Sequence, residues 1–188
     1  MKLSYLSTIL IAIFLFVTFF SKNHNSTSHT FRNDLIQEKE IRFSNLRQLT
    51  FSGENAEAYF SSDGKKLIFQ SHDGDSLCDQ IYIMNIETGN TNMVSTGEGV
   101  TTCSYFVYPD CQKAIYASTH MGNEKCPEKP DYSMGYVWKL YPDYDIFLTD
   151  LQTKSLEQLT SSPGYDAEAT VAFNVRKVVY TSVVSGDL

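Results

Sequence analysis

The feature that most constrains this chain is a repeat. The segment GENAEAYFSSDGKKLIFQS (53–71) returns as GYDAEATVAFNVRKVVYTS (164–182), and the preceding LRQLT (46–50) returns as LEQLT (156–160). A middle copy lies between them. Pro109-Asp110 followed by KAIYAS (113–118) matches Ser62-Asp63 followed by KLIFQS, a shift of 47 residues from Asp63 to Asp110. The next strand, DQIYIMNIETG (79–89), matches YDIFLTDLQTK (144–154), now shifted by 65 residues. The growth from 47 to 65 places an 18-residue insertion within His120–Pro142. A unit of about 47 residues with four short strands is the period of a β-propeller blade.

Local chemistry agrees with that period. Runs such as Lys66–Ser71, Gln80–Asn85 and Arg176–Ser182 are rich in Ile, Val, Tyr and Phe. Turn signals at Ser62-Asp63-Gly64, Glu87-Thr88-Gly89 and Tyr108-Pro109-Asp110 separate them, the pattern of an all-β domain. Gly64 can take positive φ without steric cost, which lets the first two strands of a unit reverse. Ala56, Ala58, Ala167 and Ala169 put small residues on the innermost strand, where sheets crowd near an axis. The composition permits a core, with 42% hydrophobic and 13% aromatic residues. Twenty-two acidic against 15 basic residues give a charge of −7, which argues against a nucleic-acid partner.

A unit reading LRQLT, a spacer, then AEA-x-F-S-x-DGKKLIF-x-S and QIYIMNIETG resembles the WD-repeat-like propeller blade of the TolB family. The resemblance covers Leu46 to Leu188 and is strongest at Asp63-Gly64 with Leu67-Ile68-Phe69, and at Ile81-Tyr82 with Glu87-Thr88-Gly89. The copies depart from it where Cys111 replaces the turn glycine and where Asn174-Val175 replaces Asp-Gly. The expected fold is an incomplete β-propeller of about two and a half four-stranded antiparallel blades, preceded by an N-terminal hydrophobic helix. Strands are expected from a lone outer strand at 46–50, a blade over 56–96, a second over 101–160, and two strands at 167–172 and 177–182. A ring needs at least four blades. The sequence therefore reads as part of a longer propeller whose sheet edges would be open to pairing.

Residues 1–21 carry Lys2, an apolar run from Ile9 to Phe20 and Ser21, which fits a secretory signal peptide. With no small-x-small cleavage site, an uncleaved N-terminal anchor stands as the alternative, and it is the one expected route to a membrane. Residues 22–45 read as a linker, with one short helix or nothing regular over 35–43. Residues 46–188 form the partial propeller. The expected location is the periplasm or another exported setting, secreted and membrane-anchored forms included.

In a propeller, loops alternate between two disk faces. Cys78, Cys103 and Cys126 are expected on one face and Cys111 on the opposite one, which makes it the cysteine least suited to pair. Cys103–Cys126 is the preferred disulfide, with Cys78–Cys103 and Cys78–Cys126 as rivals and four reduced thiols as the remaining alternative. His72 and His120 hold nearly equivalent loop positions on that face. With Asp73, Asp75, Asp79 and the cysteines they invite a metal reading, but their spacing matches no ligand set, and no metal or cofactor is expected. Asp143 and Asp145 flank Tyr144 and read as structural. No G-x-S-x-G elbow or glycine-rich phosphate loop occurs, so no residue is assigned to catalysis.

The insertion MGNEKCPEKPDYSMGYVWKLYPDYD (121–145) holds the single tryptophan, Trp138. Tyr132, Tyr136, Trp138 and Tyr141, with His72 and His120, form the candidate binding surface. Rings packed inward to cap the blade are the bland alternative. The expectation is a non-catalytic binding module taking a protein or peptide at one disk face. The TolB resemblance implies a cell-envelope role for it. The second reading is the propeller portion of a prolyl-oligopeptidase-like or other hydrolase, whose catalytic domain lies elsewhere. A decayed or truncated gene product is the third.

Overall fold

A computed structural model describes residues 31–74, 78–128, 130–174 and 177–187. The expected signal segment or anchor helix, residues 22–30 of the linker, Asp75 and Val175 lie outside the described residues. Among the described residues ten strands form three antiparallel sheets. The first contains β1 (Glu54–Phe60), β2 (Lys66–His72), β3 (Gln80–Asn85) and β4 (Thr91–Met93), paired in that order. The second repeats it with β5 (Thr101–Phe106), β6 (Lys113–Ser118), β7 (Asp145–Asp150) and β8 (Leu156–Gln158). The third pairs β9 (Asp166–Val171) with β10 (Val178–Ser182).

Alternation along β6 fixes how the sheets stack. Ala114 and Tyr116 join Ile68, Ile81, Phe106 and Phe147 in a core between the first and second sheets. Ile115 and Ala117 point the other way, into clusters with Ile146 and Ala169 and with Tyr144, Tyr165 and Ala167. A strand whose successive residues face opposite sides can serve two interfaces only if both sides are apolar, and β6 is buried from Ala114 to Ser118. Ala167 and Ala169 are buried as their small size requires, whereas Ala56 and Ala58 are exposed. Among the described residues no sheet packs on their side of β1.

The turns reproduce the repeat at atomic detail. At the β1–β2 turn, Asp63 Oδ1 accepts from Ser61 Oγ and the Lys65 amide, and Gly64 sits at φ +68°. In the second sheet Cys111 takes the left-handed conformation at φ +52°, so the glycine is replaced without loss of the turn. The two turns touch, since the Ser62 amide donates to Cys111 Sγ and Ser62 Oγ donates to the Pro109 carbonyl. At the β3–β4 turn Asn85 Oδ1 accepts from the amides of Glu87 and Thr88, with Gly89 at φ +71°. Asp150 Oδ1 does the same for Gln152 and Thr153, with Lys154 at φ +61°.

The lone strand expected at 46–50 is not formed. Those residues join none of the three sheets, because no strand of a ring-closing blade is present among the described residues to supply their hydrogen bonds. Upstream, a single 3-10 turn spans Asn33–Leu35, and the Arg32 amide donates to the Leu46 carbonyl. Residues 36–43 form turns rather than a helix.

Lys154 is exposed and strained where its counterpart is glycine. Lys154→Gly is expected to raise stability by about 1 kcal/mol, a melting shift of about 3 °C, measured by thermal denaturation. A lowered melting temperature would show that the two turns are not equivalent. His120 gives a second test. Burial holds its imidazole below the ordinary 6.5, opposed by Glu98. Below that value the unfolded chain takes up a proton that the folded chain refuses, so stability falls as the pH drops through 6.5. Urea unfolding at successive pH values should show this acid loss, and His120→Gln should reduce it.

Candidate functional site

The inner strand of each sheet breaks its ladder once, between Ala56 and Tyr59, between Thr102 and Tyr105, and between Ala167 and Thr170. Within each gap one non-glycine residue has positive φ: Glu57 (+52°), Cys103 (+48°) and Glu168 (+59°). Such a conformation costs an L-residue about 1 kcal/mol or more, and bulges re-aim side chains. Here they aim Glu57, Cys103 and Glu168 into one shared cavity alongside the inner strands. Glu57 accepts from Tyr59 OH at 2.8 Å, which helps push that phenol up to about 12. Glu168 accepts from Thr181 Oγ1 at 2.6 Å and from Tyr165 OH at 3.4 Å.

Gln70 locks the middle bulge in place. Its Oε1 accepts from Thr102 Oγ1 and the Cys103 amide, while its Nε2 donates to Asp79 Oδ2. Asp79 Oδ1 lies 2.5 Å from His72 Nδ1, and His72 Nε2 lies 3.7 Å from Glu54. A polar chain thus runs from Glu54 through His72, Asp79 and Gln70 to the β5 bulge. Burial pushes the Cys103 thiol up to about 11, with Glu57 and Glu168 adding to the effect. At neutral pH Cys103 is a protonated thiol bonded through Thr102, and it makes a poor nucleophile.

The insertion roofs this network. Between them lies a cleft of about 570 Å³, lined by Tyr132, Tyr136, Trp138 and Tyr141 above and by His72, Asp79 and Thr102 below. Tyr132 and Tyr136 stack with ring centroids 6.1 Å apart and an interplanar angle of 12°. Their outer faces are open, Tyr136 being 80% exposed, Tyr132 48% and Trp138 46%. Trp138 is anchored at its polar edge, donating to Tyr165 OH at 3.2 Å and so joining the roof to Glu168. Tyr141 donates to the Glu128 carbonyl and carries Lys139 Nζ 5.0 Å above its ring.

The disulfide joins Cys78 to Cys126, with Cα atoms 5.6 Å apart. The preferred pairing of Cys103 with Cys126 is therefore corrected, and the bond is one of the two rivals. The left-handed bulge places Cys103 in the inner cavity beside Glu57 and Glu168, while Cys78 in the β2–β3 loop meets Cys126 directly. Cys103 and Cys111 are free. His120 also departs from the expected surface. It is 7% exposed, bonded to Ser118 Oγ and packed 4.3 Å from the Phe147 ring, and it does not line the cleft. Among the described residues, no group of three or more His, Cys, Asp or Glu side chains is placed to hold a metal ion. Glu57 and Glu168 belong to no motif of known chemistry, and their one signal in the sequence is their place at the centre of the repeated Ala-Glu-Ala triplets.

No protein-family model matches this chain, and no curated protein does. Solved structures do. TolB from Acinetobacter baumannii superposes with a TM-score of 0.58 at 22% identity, over 76% of this chain and 31% of that one. The putative TolB from Agrobacterium tumefaciens gives a TM-score of 0.45 at 18% identity, over 64% of this chain and 39% of that one. The first of these likenesses shows a β-propeller-like fold. The chain spans about a third of the length of the structures it matches.

The disulfide closes a loop of 48 residues and pins the insertion over the first sheet. Replacing Cys78 and Cys126 by alanine is expected to cost about 2–4 kcal/mol and to shift Trp138 emission to the red as the roof loosens. An unchanged melting temperature and spectrum would show that the bond does not hold the roof.

Proposed function

We propose that this chain is part of an exported β-propeller, about two and a half blades of it over residues 46–188, acting as a non-catalytic binding module. Its ligand is a protein or peptide docked at the cleft face. The observation that carries this reading is the stacked Tyr132–Tyr136 pair, whose solvent-open rings roof a cleft large enough for side chains. Aromatic rings held by a few anchored contacts and left bare on one side are the composition of binding hot spots. The disulfide and the signal-like segment at residues 1–21 support an exported, periplasmic setting. The chemistry of the site favours binding over catalysis, because the His72–Asp79 pair leads through Gln70 to a thiol held in its protonated form.

A random peptide library panned against the immobilised chain tests this. Enriched peptides should bind the wild-type chain, and Tyr136→Ala should weaken them about tenfold with no change in melting temperature. Failure to enrich any peptide that distinguishes wild type from Tyr136→Ala and Trp138→Ala would contradict the reading.

A further inference from the structure

The cleft and the inner cavity adjoin, sharing Glu54, Gln70, Asp79, Thr102 and the roof rings Tyr132, Tyr136 and Trp138. The charge of their lining is one-sided. Glu54, Glu57, Asp79 and Glu168 line the two, against Lys139 and His72 as the basic side chains. His72 is held by Asp79, and Lys139 is occupied over Tyr141. Among the described residues, neither Glu57 nor Glu168 is paired with a lysine or arginine. Their hydrogen bonds come from the neutral hydroxyls of Tyr59, Tyr165 and Thr181, which fix the carboxylates without cancelling their charge.

Both glutamates hold a backbone conformation unfavourable to their side chain, at the same position of two repeats. Such an outlier points to what the side chain does there. A neutral ligand filling this space would strip water from the carboxylates and return no charge, which opposes binding. A cation would meet carboxylates below and ring faces above, and both attract it. The site already displays half of that interaction, since the ammonium of Lys139 lies over the Tyr141 ring at its rim.

We propose that this space is a cation-binding site whose ligand is the guanidinium or ammonium head of an arginine or lysine side chain, inserted between the Tyr132–Tyr136–Trp138 roof and Glu57 and Glu168. The inference rests on the reading of this face as a peptide-binding surface, and it adds the chemistry of the side chain that enters. Spermidine, a free polycation, shares the chemistry and is the other source of such a head group.

Trp138 is the single tryptophan, so its fluorescence reports on the site directly. The full chain is titrated with N-acetylarginine amide, with its neutral isostere N-acetylcitrulline amide, and with spermidine. The arginine amide should give a saturable change, weakened by added salt, and the citrulline amide should bind at least about tenfold more weakly. Glu57→Gln with Glu168→Gln should weaken the arginine amide about tenfold and leave the citrulline amide unchanged. Should that double variant fail to fold, Glu54→Gln at the exposed rim should weaken the arginine amide in the same direction. Tighter binding of spermidine than of the arginine amide would support the cation site and identify a free polycation as its source. Equal binding of citrulline and arginine amides, or no saturable response to any cation, would overturn the proposal. If library peptides still bind in a Tyr136-dependent way after such a result, the cation inference falls and the peptide-binding reading stands.

Discussion

The structure depends on the burial of β6 on both faces. A strand that alternates Ala114 and Tyr116 toward one sheet with Ile115 and Ala117 toward the next cannot be satisfied by a single partner. It requires three sheets stacked face to face, and stacking twisted sheets rotates each about a common line. The small residues control spacing, since Ala114, Ala117, Ala167 and Ala169 let the backbones approach where larger side chains would wedge them apart. Everything at the cleft follows from that placement. The inner strands β1, β5 and β9 come side by side, and the loops above them are brought within reach of one another.

Given that frame, the bulges carry the chemistry. A regular strand would send residues 57, 103 and 168 to one side or the other in strict alternation. The left-handed residue in each inner strand redirects them into the common cavity, at an energetic cost the surrounding ladders sustain. Gln70 then couples the middle bulge to the His72–Asp79 pair, and Trp138 couples the roof to the third bulge through Tyr165 and Glu168. The floor is thereby tied to the second sheet and the roof to the third, so the shape of the cleft depends on the stack as well as on the Cys78–Cys126 bond.

Much of the architecture was legible because the repeat is written in turn chemistry. Asp63-Gly64 and its counterpart Asp110-Cys111 marked the same reversal, and the structure gives both the same left-handed geometry. The strands fall within a residue or two of their expected positions for the same reason. What stayed hidden depended on side-chain direction. Cys103 and Cys126 share a face in a schematic blade, but a bulge sets Cys103 among the inner-strand glutamates and Cys126 bonds to Cys78. His120 matches His72 by position, yet a neighbouring phenyl ring and Ser118 bury it. The insertion has no counterpart in the first unit. Its composition announced an aromatic surface, while its path over the inner strands came from contacts that no repeat encodes. Residues 46–50 looked like a strand because LRQLT copies LEQLT, but a strand exists only where a partner supplies its hydrogen bonds.

The central claim is that the insertion is seated over the first sheet, roofing a cleft above the inner strands. Proteolysis of the chain without reductant, followed by mass spectrometry after alkylation, tests it most directly. The account predicts one linked peptide pair joining Cys78 to Cys126, with Cys103 and Cys111 recovered as alkylated thiols. A Cys103–Cys126 linkage would contradict it, because it would draw the insertion down onto the β5 bulge and fill the space assigned to the ligand.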